Sequence, residues 1–110
     1  MINIESVKSE IIKRLEPLNL DKVILFGSYA YGIPNIDSDI DLYVVTKDEY
    51  TPQNWKEKSE LTRKVSRKLR DLRSKFAIDL IVHTKEMNRK FIELNSSFSR
   101  EILSKGSLIL

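Results

Sequence analysis

The chain contains no cysteine, a single histidine, three glycines and three prolines among its 110 residues. Without cysteine, disulfides and thiolate-bound zinc are excluded. With His83 as the sole imidazole, a multi-histidine metal site is excluded too. Any resident metal must be held by oxygen, which favours Mg²⁺, Mn²⁺ or Ca²⁺. No apolar run approaches the length of a membrane span. The first residues, Met1-Ile2-Asn3-Ile4-Glu5, lack the basic-then-apolar order of a signal peptide, so a cytoplasmic setting is expected. Repeats, low-complexity tracts and linkers are absent as well, and the length suits one domain over residues 1–110.

What is present supports one modest core. Hydrophobic residues make up 41% of the chain. Ile4, Val7, Ile11 and Leu15 recur at helical spacing up to Pro17. Val23 to Phe26 reads as a short buried strand. Ser28 to Tyr31 reads as a brief helical turn closed by Gly32. Residues 40–46 and 77–83 read as two further strands. Between them, Leu61, Val65, Leu69, Leu72 and Phe76 form one helical stripe. Phe91, Leu94, Phe98 and Ile102 outline a last helical face that Asn95-Ser96-Ser97 can interrupt. Gly106 reads as a helix C′ residue, and Leu108 to Leu110 as a short final strand. Strands alternating with helices imply an α/β arrangement, with helices covering a sheet. The pattern leaves open whether that sheet is parallel or mixed.

Charge is unevenly distributed. The net charge is +3, yet residues 56–75 hold nine basic and three acidic side chains, a local +6. Clustered Lys and Arg attract phosphates. Only Trp55 and Phe76 flank the segment, which offers no evident stacking platform for bases. The favoured reading is a solvated outer helix face with Leu61, Val65, Leu69 and Leu72 turned inward.

The chemistry resides in carboxylates and a Gly-Ser turn. Gly27-Ser28 closes one apolar run, Asp39 and Asp41 open another, and Asp79 sits inside a third, Phe76 to Val82. Ionised carboxylates among apolar residues are costly unless something positive meets them. Positions i and i+2 of a strand face the same way, so Asp39 and Asp41 aim together. Held close, they repel and raise one pKa unless a cation neutralises them. Three converging carboxylates can hold two metal ions about 4 Å apart, as in phosphoryl transfer. Glycine at a strand end lets backbone approach a ligand, and the Ser28 hydroxyl can donate to a phosphate oxygen. Alternative motifs fail. Gly27 to Gly32 has P-loop spacing, but Ile33-Pro34 stands where Lys-Ser/Thr is required. Asp37-x-Asp39-x-Asp41 opens like a calcium loop, but Leu42 and Asp48 stand where glycine and glutamate belong. His83 reads as a partly exposed strand-end residue.

Leu25-Phe26-Gly27-Ser28-Tyr29-Ala30-Tyr31-Gly32, Asp37-Ser38-Asp39-Ile40-Asp41-Leu42 and Ile78-Asp79-Leu80-Ile81-Val82 together resemble the polymerase β-like nucleotidyltransferase superfamily. The short length resembles its minimal nucleotidyltransferase branch. The resemblance implies a mixed sheet flanked by helices and transfer of a nucleoside monophosphate, AMP from ATP, with release of pyrophosphate. It assigns phosphate binding to Gly27 and Ser28, with Ser38 counted among the nucleotide-binding positions. Asp39, Asp41 and Asp79 become the metal-binding and catalytic carboxylates, holding two Mg²⁺ or Mn²⁺ ions, with Asp79 also taking the acceptor's proton. Tyr31 departs from the pattern, since many relatives carry arginine there.

Minimal members are similar to antitoxins paired with an all-helical protein of the higher eukaryote and prokaryote nucleotide-binding type, in which a tyrosine is the acceptor. With 110 residues there is no room for an acceptor-binding domain, so that surface must come from a partner or a second copy. Two alternatives stand beside this reading. One is a non-catalytic antitoxin that neutralises by binding alone. The other is an enzyme adding nucleotides to an RNA end, which the missing base-reading domain disfavours.

Overall fold

The computed structural model describes residues 2–110. Helix α1 (Ile4–Leu15) starts at Asn3, whose side chain accepts from the Ser6 N–H, and its apolar stripe buries Val7, Ile11 and Leu15. Pro17 lies in the short 3-10 turn that follows, where helical hydrogen bonding stops. Strand β1 (Lys22–Phe26) leads through Gly27 into α2 (Ser28–Tyr31). After the loop come β2 (Ile40–Val45), α3 (Trp55–Lys68), α4 (Arg70–Arg73) and β3 (Ile78–His83). The chain ends with α5 (Lys85–Leu94), α6 (Ser97–Lys105) and β4 (Ser107–Leu108).

The sheet order is β3-β2-β1-β4. β2 pairs parallel with β3, while β1 is antiparallel to both β2 and β4. The sheet is therefore mixed, and the question that the strand pattern left open is resolved. Its two faces bury separate clusters. Val23, Leu25, Leu42, Val44 and Val82 pack under α1, α3 and α4. Ile24, Phe26, Tyr43 and Val45 pack with Ile102 of α6 and Phe91 of α5. Each large apolar side chain buried this way contributes about 1.5–3 kcal/mol relative to exposure.

Four expectations need correction. The stripe from Leu61 to Leu72 is not one helix. The chain breaks at Leu69 (φ −102°, ψ 7°), so α4 starts afresh while Leu72 still points inward. No glycine or proline marks that break. Leu94 does not join the buried face and is 77% exposed, because Asn95 turns the chain left-handed (φ 47°) and Ser96 caps a redirected α6. Gly106 follows α6 in extended rather than left-handed backbone. A Cβ there would come within 2.3 Å of the Ile102 carbonyl oxygen and 2.5 Å of Ile24 Cγ2, so close packing demands the glycine. Finally, Asp79 is exposed on the edge strand β3 rather than enclosed by its apolar neighbours. Among the described residues, no helix is long and apolar enough to cross a membrane.

Candidate active site at the β1, β2 and β3 ends

The parallel register sets Asp41 beside Asp79, and the antiparallel register sets Phe26 on the other side of Asp41. Strand alternation then places Asp41 and Asp79 on the face that carries Phe26 and Tyr43. Asp39, two residues earlier, has the same parity. Asp39 and Asp41 both lie near enough to Asp79 for its charge to raise their pKa values. The three residues are thus brought together, with Asp79 in the middle.

Electrostatics follow from this grouping. The Asp79 charge holds the Asp39 carboxyl above its ordinary range, with burial adding to it. For Asp41, burial is the larger cause, and the charges of Asp79 and Asp39 add to it, taking its pKa to about 6. Among the described residues no Lys, Arg or His forms an ion pair with any of the three. Nor, among the described residues, do any three acidic or imidazole side chains stand close enough together, as placed, to hold a metal ion. The carboxylates form an open row around Asp79.

The Gly-Ser turn abuts this row. Gly27 has φ +78°, a conformation that disfavours any side chain. A Cβ on it would sit 2.1 Å from Asp41 Oδ2. The Gly27 carbonyl accepts from the N–H groups of Ala30 and Tyr31, which pins α2 directly after the turn. Ser28 is therefore held at the head of α2, partly exposed. Ser38 is used differently, since its Oγ accepts from the Asn35 N–H at 2.8 Å and closes the turn before β2.

The donor set suits a divalent cation. Three carboxylates lie near one another with no ion-pair partner among the described residues, and the backbone at Gly27 yields room that a Cβ would fill.

One neighbour was not visible in the sequence. Ser107 of β4 pairs with Leu25, which brings the end of α6 beside the Gly-Ser turn. Lys105 Nζ lies 5.8 Å from the centroid of the Tyr31 ring. The Tyr31 hydroxyl is buried without a hydrogen-bond partner among the described residues. A cation therefore stands near Tyr31, the position where the resemblance implies an arginine. The β1–β4 pairing and the packing of Ile102 on Ile24 bring these two distant stretches of chain together.

His83, the last residue of β3, is half-buried with Nδ1 2.8 Å from the Tyr43 hydroxyl. That hydroxyl donates to Asn88 Oδ1 at 2.9 Å, so His83 serves as its donor through Nδ1–H. Burial lowers the His83 pKa, and the Lys58 charge adds to this. Its contacts are structural.

Residues 9–110 match the family model described as polymerase beta, nucleotidyltransferase. A Methanocaldococcus jannaschii protein provisionally named a protein adenylyltransferase is 34% identical over 83 residues, covering 76% of this chain and 79% of that protein. A Sulfolobus solfataricus protein, provisionally described as a nucleotidyltransferase, shares the fold with TM-score 0.59 at 22% identity, over 96% of this chain and 77% of its own. The fold also recurs in the complex of a tri-AMPylated Shewanella oneidensis HEPN toxin with an MNT antitoxin. That match has TM-score 0.50 at 22% identity, over 96% of this chain and 71% of the other.

Proposed function

The chain belongs to the polymerase β nucleotidyltransferase family, and from that premise we propose that it is a protein adenylyltransferase acting on a tyrosine of an all-helical partner toxin. Residues 1–110 act as one catalytic domain in the cytoplasm. The relative named a protein adenylyltransferase supports the reaction class, and the AMPylated toxin in a complex of like fold supports the kind of acceptor. The observation that carries the reading is the cation-free row of Asp39, Asp79 and Asp41 against the side-chain-free Gly27.

In this reading Asp39, Asp41 and Asp79 would hold two divalent ions, Mg²⁺ in the cell. Bound there, such ions neutralise the triphosphate and polarise the α-phosphate. The chain's own groups do the rest. Gly27 lets the triphosphate approach the backbone, and the Ser28 hydroxyl donates to a phosphate oxygen. Orientation of this kind replaces the entropy cost of a free encounter. The tyrosine oxygen attacks the α-phosphorus, the new O–P bond forms, and the bond to pyrophosphate breaks. Asp79, exposed on its edge strand, is open to the acceptor and takes the phenolic proton. A fully enclosed carboxylate could not do this.

The test is transfer of label from α-phosphate-labelled ATP to a co-expressed helical partner. Asp39→Ala, Asp41→Ala and Asp79→Ala should each abolish labelling while far-UV circular dichroism stays unchanged. Continued labelling by all three variants would sink the site. Complex formation with an unchanged partner mass in ATP and Mg²⁺ would instead establish a binding antitoxin without catalysis.

A further inference from the structure

The basic segment is more ordered than its composition suggests. Helix α3 runs from the far end of β2 back to the start of β3, so it climbs towards Asp79. Its inner stripe, Leu61 and Val65, is buried, and Leu69 and Leu72 continue it. The outer stripe starts at Trp55, which is 79% exposed. A cleft of about 410 Å³ opens beside Trp55 and reaches Arg63 and Ser66. A second, of about 350 Å³, shares those two residues and continues past Arg67 and Arg70 to Arg73. The two adjoin as one open, shallow furrow along α3 and α4, aromatic at one end and guanidinium-lined at the other.

The cations in this furrow are available. Among the described residues, Arg63, Arg67 and Arg70 make no ion pair. Arg73 donates to the Ser66 hydroxyl at 2.6 Å, which leaves its charge unneutralised. Two of the segment's three acids are engaged elsewhere, and the third, Glu60, lies exposed beside Arg63 and Arg67. Asp71 is held by Arg14 of α1 through Nε at 2.9 Å and Nη2 at 2.6 Å. Glu57 accepts from the Gln53 N–H at the start of the helix.

We propose that this furrow binds single-stranded RNA, with phosphates on the arginines and a base stacked on Trp55. Planar guanidinium groups meet phosphate oxygens in pairs, and an exposed indole accepts any base face. Ser59, Thr62 and Ser66 add hydroxyls that complement a ribose 2′-OH. The larger set of apolar anchors that a protein interface core favours lies outside this furrow. Those anchors, Ile92, Phe98 and Leu103, are exposed on α5 and α6, across the sheet. The inference is independent of the transferase reading and is tested without nucleotide.

The experiment is fluorescence polarisation of a labelled 20-nucleotide mixed-sequence RNA against the full chain, from 50 to 200 mM salt. Arg67→Ala/Arg70→Ala should weaken binding about tenfold and flatten the log–log salt slope by about 1.4. Trp55→Ala should weaken it about tenfold, and Trp55→Phe should stay within about threefold. Lys13→Ala/Lys90→Ala, which removes two exposed charges outside the furrow, should change little. An equal loss in that control, or no binding at 50 mM salt, would overturn the proposal. Competition by polyglutamate as strong as by RNA would point to an acidic protein instead. Equal affinity for single-stranded DNA would overturn the choice of RNA.

Discussion

Gly27 and Asp41 touch in a way that admits no substitution: a Cβ at residue 27 would fall 2.1 Å from Asp41 Oδ2. Gly27→Ala must move that carboxylate and also strain the backbone at φ +78°. We expect a loss of about 1–2 kcal/mol in urea denaturation, from the left-handed backbone alone, and at least a tenfold loss in AMP transfer. Gly32→Ala is the control. Its φ is +76°, but nothing lies within 4 Å of a Cβ there. It should lose similar stability and keep its activity.

The raised pKa of Asp41 makes a stability prediction with a definite sign. Its carboxyl is pushed up to about 6 in the folded chain, first by burial and then by Asp79 and Asp39, from an ordinary value of 3.8. Between those values the folded state binds more protons. Its stability must therefore fall as pH rises from about 4 to about 6. Because the group is only partly buried, solvent screening reduces the effect to about 1 kcal/mol. Urea denaturation in EDTA should show this decline in the wild type, relative to Asp41→Asn. A variant with the same pH profile as the wild type would contradict the assignment.

Divalent cations should reverse that penalty. At tenfold excess over its dissociation constant, a ligand specific to the folded state adds about 1.4 kcal/mol. For a chain of this size that corresponds to a rise of several degrees in Tm. Differential scanning fluorimetry with MgCl₂ should show the rise in the wild type. Asp41→Asn/Asp79→Asn should abolish it. An undiminished shift in the variant would place the cation elsewhere.

Lys105 should act on nucleotide binding. Its amine stands 5.8 Å from the Tyr31 ring beside the Gly-Ser turn. Lys105→Ala should raise KM for ATP about fivefold, the effect of one exposed charge contact worth about 1 kcal/mol, with kcat little changed. Lys105→Arg should restore KM. Steady-state transfer kinetics separate the two parameters.

Much of this was legible in local patterns. Alternation and helical spacing located α1, β1, β2 and β3, because each periodicity reflects one buried face. Asn95-Ser96-Ser97 announced the α5–α6 break through its capping chemistry. The break at Leu69 had no such signal, since neither glycine nor proline stands there. Gly106 reads in the sequence as a helix C′ residue, whereas in the structure it lets Ile102 and Ile24 close over it.

By itself, the sequence determined the periodic elements, the exclusion of thiolate and multi-histidine metal sites, and the aspartates and Gly-Ser turn that resemble the family's motifs. These depend on residue type and short-range spacing, which a linear chain states directly. Only the tertiary structure decided that Asp79 lies beside Asp41, that no cation fills the row they form with Asp39, and that Lys105 reaches Tyr31. Those relations depend on strand register and sheet order. Register arises when distant segments bury their faces against one another, and no local spacing encodes it.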